Sequence, residues 1–216
     1  LQTNSLNANT TFANVMTLNG FVDITPIEGL KFTVNGTVTN NEWKNTSTIQ
    51  SFYGNTATTV PGGEVDKTNY QTFTLNFQQI ANYTRSFGKH NATVMLGHEN
   101  YEYKYNYLFG SRQQMFSYFD ATELDAAVKE MHNGGSSSDY NTEGYFSRLM
   151  YDYDGRYFAQ MSYRRDASSR FHPDHRWGDF YSFGGAWILS KESWFKSSWI
   201  DMLKLKASWG QQGNDA

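Results

Sequence analysis

Apolar and polar residues alternate at every second position through much of this chain, in separable runs. In the last run Leu203, Leu205, Ala207 and Trp209 share one side, and Lys204, Lys206 and Ser208 share the other. In the run before it, Tyr181, Phe183, Trp187 and Leu189 oppose Ser182, Gly184, Ala186 and Ile188. A period of two marks a strand whose side chains point to opposite faces. Lysines interleaved with leucines demand one wet face and one oily face, which excludes burial on both sides.

Eight such strands are predicted, over residues 11–24, 30–43, 70–85, 92–107, 144–153, 156–166, 180–189 and 203–209. The connections between them alternate in length. Thr25-Pro26-Ile27-Glu28-Gly29 and Ser86-Phe87-Gly88-Lys89-His90-Asn91 read as short turns, and Asp154-Gly155 is the strongest hairpin signal. Two long polar stretches separate these pairs, over residues 44–67 and 108–143. In the second, Ala121, Leu124, Val128 and Met131 fall at near-helical spacing, and Asn133-Gly134-Gly135-Ser136 predicts where that helix stops.

Composition narrows the class. The 216 residues include 15 Tyr, 16 Phe and 6 Trp but only 18% charged residues, so the polarity comes from uncharged side chains. That mixture predicts an all-β chain. A net charge of -3 without a long basic run argues against a nucleic-acid partner. With no cysteine, disulfides and thiolate metal sites are excluded. The first residues lack the charged start and apolar stretch of a secretory signal. No run approaches the ~20 apolar residues of a membrane helix, but strands of a membrane barrel escape that test. Short turns on one edge and long connections on the other are the asymmetry of outer-membrane barrels, with Tyr and Trp near strand ends as interface girdles. The connection at 190–202 is long for the short-turn edge.

The C-terminal third is the most specific part. Arg164-Arg165-Asp166-Ala167-Ser168-Ser169-Arg170-Phe171, Arg176-Trp177-Gly178, Leu203-Lys204-Leu205-Lys206-Ala207-Ser208-Trp209-Gly210 and Gly213-Asn214-Asp215 resemble the SusC/RagA-type TonB-dependent transporters of Bacteroidetes outer membranes. Gly29-Leu30-Lys31-Phe32, Phe87-Gly88-Lys89-His90-Asn91 and Tyr145-Phe146-Ser147-Arg148 are similar to the same family. Ala167 stands where that family usually has glycine, and Ile188-Leu189 replaces its Arg-Ile.

The resemblance implies an antiparallel transmembrane β-barrel of roughly 22 strands closed by a plug. Residues 1–216 would be eight of those strands, with the plug and the terminal strands outside this sequence. It further implies import of a large nutrient, an oligosaccharide or a peptide. The implied partners are a SusD-like surface lipoprotein and TonB–ExbB–ExbD, the latter acting through the plug.

No Ser/His/Asp order and no glycine-rich phosphate loop occurs, so neither catalysis nor a cofactor is expected. Asp152-Tyr153-Asp154-Gly155 lacks the distal ligands of a calcium loop and reads as a turn. His172-Pro173-Asp174-His175 carries metal-ligand types, but such polar loops arise by chance and no metal is assigned. Arg164, Arg165, Asp166 and Arg170 read first as a salt-bridged brace at a strand exit. Trp177 and Arg170, in a predicted extracellular loop, are the candidate cargo contacts, a flat indole suiting the C–H side of a sugar. Two other architectures remain open: a self-contained eight-stranded barrel, which would pair its first and last strands, and a soluble carbohydrate-binding β-sandwich.

Overall fold

A computed structural model describes residues 7–51, 62–116 and 122–213. It is one antiparallel sheet in which every strand pairs with its neighbour in sequence. The strands are β1 (Ala8–Ile27), β2 (Leu30–Ile49), β3 (Glu64–Phe87), β4 (His90–Met115), β5 (Ala127–Tyr153), β6 (Tyr157–Ser168), β7 (Trp177–Ile188) and β8 (Lys204–Gly210). β1 and β8 lie at opposite ends of that order, so the first and last strands do not pair and the small closed barrel is overturned. No second sheet occurs among the described residues, which removes the sandwich.

All eight strands are present, but β2 to β5 run far beyond their predicted ends. β5 begins at Ala127, so Val128, Met131 and the Asn133-Gly134-Gly135 segment are strand, not helix. Among the described residues of the predicted helix, Leu124–Ala126 alone forms a helical turn, of the 3-10 type; Ala121 lies outside the described residues. The reason is tertiary: a neighbouring strand satisfies the backbone of a polar segment that has no local strand signal of its own. Gly135 is small because the backbones meet there; a Cβ would lie 2.8 Å from the carbonyl oxygen of Tyr107.

The described residues fall into two compact units. One lies within residues 1–18, 38–74 and 103–139, the other within 19–37, 75–102 and 140–216. The first has a small core of Val65, Met115 and Ala127, against which Leu124 packs. The second contains the turns. Asp154 and Gly155 take φ of 56° and 59°, the left-handed pair expected of this hairpin. Neighbouring turns are tied by backbone bonds: Thr84 N–H donates to Gly29 O at 2.8 Å, and Asp154 N–H to Lys89 O at 2.7 Å.

Gly29 has φ of +83°, and a Cβ there would sit 2.3 Å from the Thr84 carbonyl oxygen. Backbone cannot rotate away as a side chain can. Gly29→Ala is therefore expected to cost roughly 1–3 kcal/mol from backbone strain alone, read as a lower urea midpoint of the folded protein. Gly20→Ala, with nothing within 4 Å of the new methyl, is the matched control.

Candidate functional site

The site is a sheet with two chemically opposite faces. On the apolar face, Leu149, Met161, Phe183 and Trp209 are consecutive cross-strand partners. Their exposures of 46%, 45%, 46% and 58% show that no element among the described residues covers them. Toward the turns this row is bordered by Tyr153, Tyr157, Trp187 and Leu205, again in register. On its other side lies a second aromatic band. His98 stacks on Tyr145 at 4.6 Å, and Tyr145 on Trp177 at 6.0 Å. The Arg165 guanidinium covers Trp177 at 5.2 Å, and Tyr163 donates to Asp179 at 2.6 Å. Two aromatic bands with an uncovered apolar strip between them match a bilayer with its two headgroup zones.

The opposite face is a continuous polar ladder. Asn19 donates to Asn35 and Thr37, and Asp23 accepts from Thr33 and pairs with Lys31 at 2.9 Å. Glu99 accepts from Asn76 at 3.1 Å, Gln78 at 3.0 Å and Arg164 at 3.2 Å. Arg164 Nε also reaches both Asp166 oxygens at 2.7 Å, and its guanidinium lies 5.5 Å above the Phe146 ring. Lys204 Nζ sits 4.8 Å over Phe158, on the face opposite Leu205 and Trp187. This is the orientation that the alternation predicted for the two lysines.

At the turn end a charge network joins three connections. Asp154 pairs with Lys89 at 3.1 Å and Arg156 at 2.8 Å, and Arg156 continues to Glu192 at 3.2 Å. Glu192 also accepts from Tyr157 and Trp187, and Lys191 donates to Gly155 O at 2.9 Å. These bonds anchor the 190–202 connection, the one that is long for this edge. The hydrogen bond from Lys89, with the charge of Arg156 behind it, holds the Asp154 carboxyl below its ordinary range. A carboxylate with a lowered folded value contributes stability above its unfolded value, and loses it as pH falls through the folded one. Acidification below the ordinary carboxylate range is therefore expected to narrow the stability gap between the native protein and Asp154→Asn. Thermal unfolding from pH 7 down to pH 3 measures this.

The sequence-predicted site residues do not come together. Arg164 and Asp166 stand on the polar face, whereas Arg165 is on the apolar face with Trp177, because adjacent strand residues point opposite ways. The brace is thus Arg164, Asp166 and Glu99. Arg170 lies 4.2 Å over the Tyr140 ring, which meets Tyr101 at 5.8 Å. His172 and His175 have ring centroids 6.4 Å apart, and no group of three metal-ligating side chains converges among the described residues.

The tyrosines of β4 depart from the girdle expectation. Ala92, Val94, Leu96 and His98 occupy the apolar side, so unbroken alternation puts Tyr101, Tyr103, Tyr105 and Tyr107 on the polar side with Glu99. Tyr105 and Tyr107 meet Tyr70 of β3 there, at 6.3 and 4.8 Å. Counting parity through His98 would have found this in the sequence.

No family model matches the chain. It is 32% identical over 153 residues to the TonB-dependent receptor SusC of Bacteroides thetaiotaomicron, covering 70% of the chain and 15% of that protein. It is 31% identical over 143 residues to the TonB-dependent receptor P39 of Formosa agariphila, covering 64% of the chain and 14% of that protein. In structure it is similar to the RagAB peptide transporter, with a TM-score of 0.90 at 27% identity, over 98% of the chain and 24% of the solved one. The chain therefore spans 14–15% of the length of those two curated relatives.

Proposed function

Because the chain belongs to the SusC/RagA-type TonB-dependent receptors of the outer membrane, we propose that it forms barrel wall in an importer of oligosaccharide. The observation that carries this reading is the division of the sheet. The strip of Leu149, Met161 and Phe183 meets lipid, and the ladder through Asn19, Glu99, Arg164 and Lys204 lines the passage. In a closed barrel no backbone donor or acceptor is left facing hydrocarbon.

Residues 1–216 are then one section of that wall. A plug domain and further strands elsewhere in the receptor complete the gate, TonB–ExbB–ExbD works it, and a SusD-like surface lipoprotein delivers cargo. Nothing in the wall is catalytic; its chemistry is binding and guidance. Of the two residues expected to touch cargo, Arg170 is the proposed contact at the mouth. The aromatic neighbours of Arg170, Tyr140 and Tyr101, support its role. Trp177 opens β7 and does not lie in a loop; stacked on Tyr145 and covered by Arg165 on the apolar face, it belongs to the aromatic band and is not proposed as a cargo contact.

A second reading, peptide cargo, draws support from the likeness to the RagAB peptide transporter. Uptake separates the two. Cells carrying the full-length receptor are expected to accumulate a labelled neutral hexasaccharide and not a labelled peptide mixture, and to stop when TonB is deleted. Peptide uptake alone would transfer the function to the second reading. Accumulation of both probes at the same rate with and without the receptor would end the import reading.

A further inference from the structure

Aromatic rings are expected where a barrel wall meets the headgroups, yet one group of them stands on the wrong face for that. Trp43 of β2, Tyr70 of β3, and Tyr105, Tyr107 and Phe109 of β4 form a continuous ring ladder. Successive centroids lie 5.1, 6.3, 4.8 and 5.7 Å apart: Trp43 to Tyr70, Tyr70 to Tyr105, Tyr70 to Tyr107, and Tyr107 to Phe109. All five rings belong to the first compact unit and are half-buried.

The side of the same strands away from the rings is wet. Glu42 and Lys44 pair there at 2.7 Å, Gln71 donates to Asn40, and Lys104 and Asn106 are exposed. Charges on that side place this stretch of strand outside the hydrocarbon, where a cation facing lipid is strongly disfavoured. The ladder is therefore not a lipid anchor. Room has been kept for it, since Gly134 of β5 has no side chain where a Cβ would come within 2.8 Å of the Phe109 ring.

Resting on the import reading above, we infer that this ladder is a cargo-binding track on the passage face that stacks on successive pyranose rings of a neutral oligosaccharide. Three observations select that ligand. Ring faces suit the C–H faces of sugars and carry no charge. Beside the rings the side chains on this face include the hydroxyls and amides of Thr39, Asn45 and Thr72, which suit a polyol, and the carboxylates of Glu64 and Asp66 lie farther along β3 with Ser111 and Gln113. The strands beneath are paired on both edges, so they have no free backbone ladder for an extended peptide to join.

The test uses the full-length receptor in detergent, with a neutral linear hexasaccharide carrying a diazirine at its reducing end and a labelled pentapeptide as comparison. In the native receptor, photo-crosslinks are expected in peptides containing residues 101–109. Tyr70→Ala with Tyr107→Ala should weaken hexasaccharide binding at least tenfold, and Tyr70→Phe with Tyr107→Phe should leave it within about twofold. Heat-modifiable gel mobility confirms that each variant is folded, and the crosslinks address the native protein should the alanine variant not fold. Crosslinks confined to other segments, or unchanged affinity in the folded alanine variant, would overturn the track while leaving import intact. Loss of TonB-dependent uptake of every probe by the native receptor would instead remove the import reading itself.

Discussion

Met161→Arg is expected to destabilise the full-length receptor in lipid vesicles by roughly 2–4 kcal/mol, the cost of a cation at the depth of the bilayer midplane. Met161 sits between Leu149 and Phe183 in a row with no cover, midway between two aromatic bands. Its neighbour in sequence, Gln160, stands on the opposite, polar face between Met150 and Gly184. Gln160→Arg therefore places the same charge one residue away in water, and its effect is expected to stay within about 0.5 kcal/mol, as for an ordinary surface substitution. Urea titration in vesicles, read by gel mobility of unheated samples, measures both. Equal effects at the two positions would mean that the faces do not divide lipid from passage.

The second large effect is expected at Arg164. Its guanidinium serves two acids at once, Nε on Asp166 and Nη2 on Glu99, and Glu99 also holds Asn76 and Gln78 of β3. One side chain thus links β3, β4 and β6 across the polar face. Arg164→Met leaves the half-buried Glu99 with amide donors only, at a cost of roughly 1.5–3 kcal/mol for a hydrogen bond to a charged group. Arg164→Lys should recover less than half of it, because one ammonium cannot reproduce a planar fork that spans two carboxylates. The same urea series reports both variants, and full recovery by lysine would reduce the brace to a simple charge.

These two residues differ in how far the sequence reveals them. Met161 was legible as to its side: period-two alternation fixes which residues share a face, although the residues that line up with it across the sheet follow from register. Arg164 was legible as part of a charged run, but its role was not. The run Arg164-Arg165-Asp166 read as one cluster, and the strand splits it, sending Arg165 to Trp177 on the other face. The partner that defines Arg164 is Glu99, 65 positions earlier, and no local pattern connects them.

The extensions of β2 to β5 illustrate the same boundary. Residues 127–138 lack apolar alternation; Val128 and Met131 read as part of a helix, and the glycines and serines after Asn133 as its stop. Pairing with a neighbour overrode that, because each backbone group gains the partner it would otherwise lack. The face of Tyr105 and Tyr107 lay in between: the parity was present in β4, but an aromatic ribbon suggested a girdle until the rings of Trp43 and Tyr70 were found on its side.

By itself, then, the sequence determined the strand count, the tight turns and the two-faced wall with its lysines and leucines on opposite sides. These are properties of residues two apart or adjacent in the chain, where covalent geometry alone dictates direction. The tertiary structure decided how far each strand extends, which acid Arg164 holds and which way the tyrosine ladder is used. Those depend on register between strands, and register is set by the sum of many weak cross-strand contacts that no single segment contains.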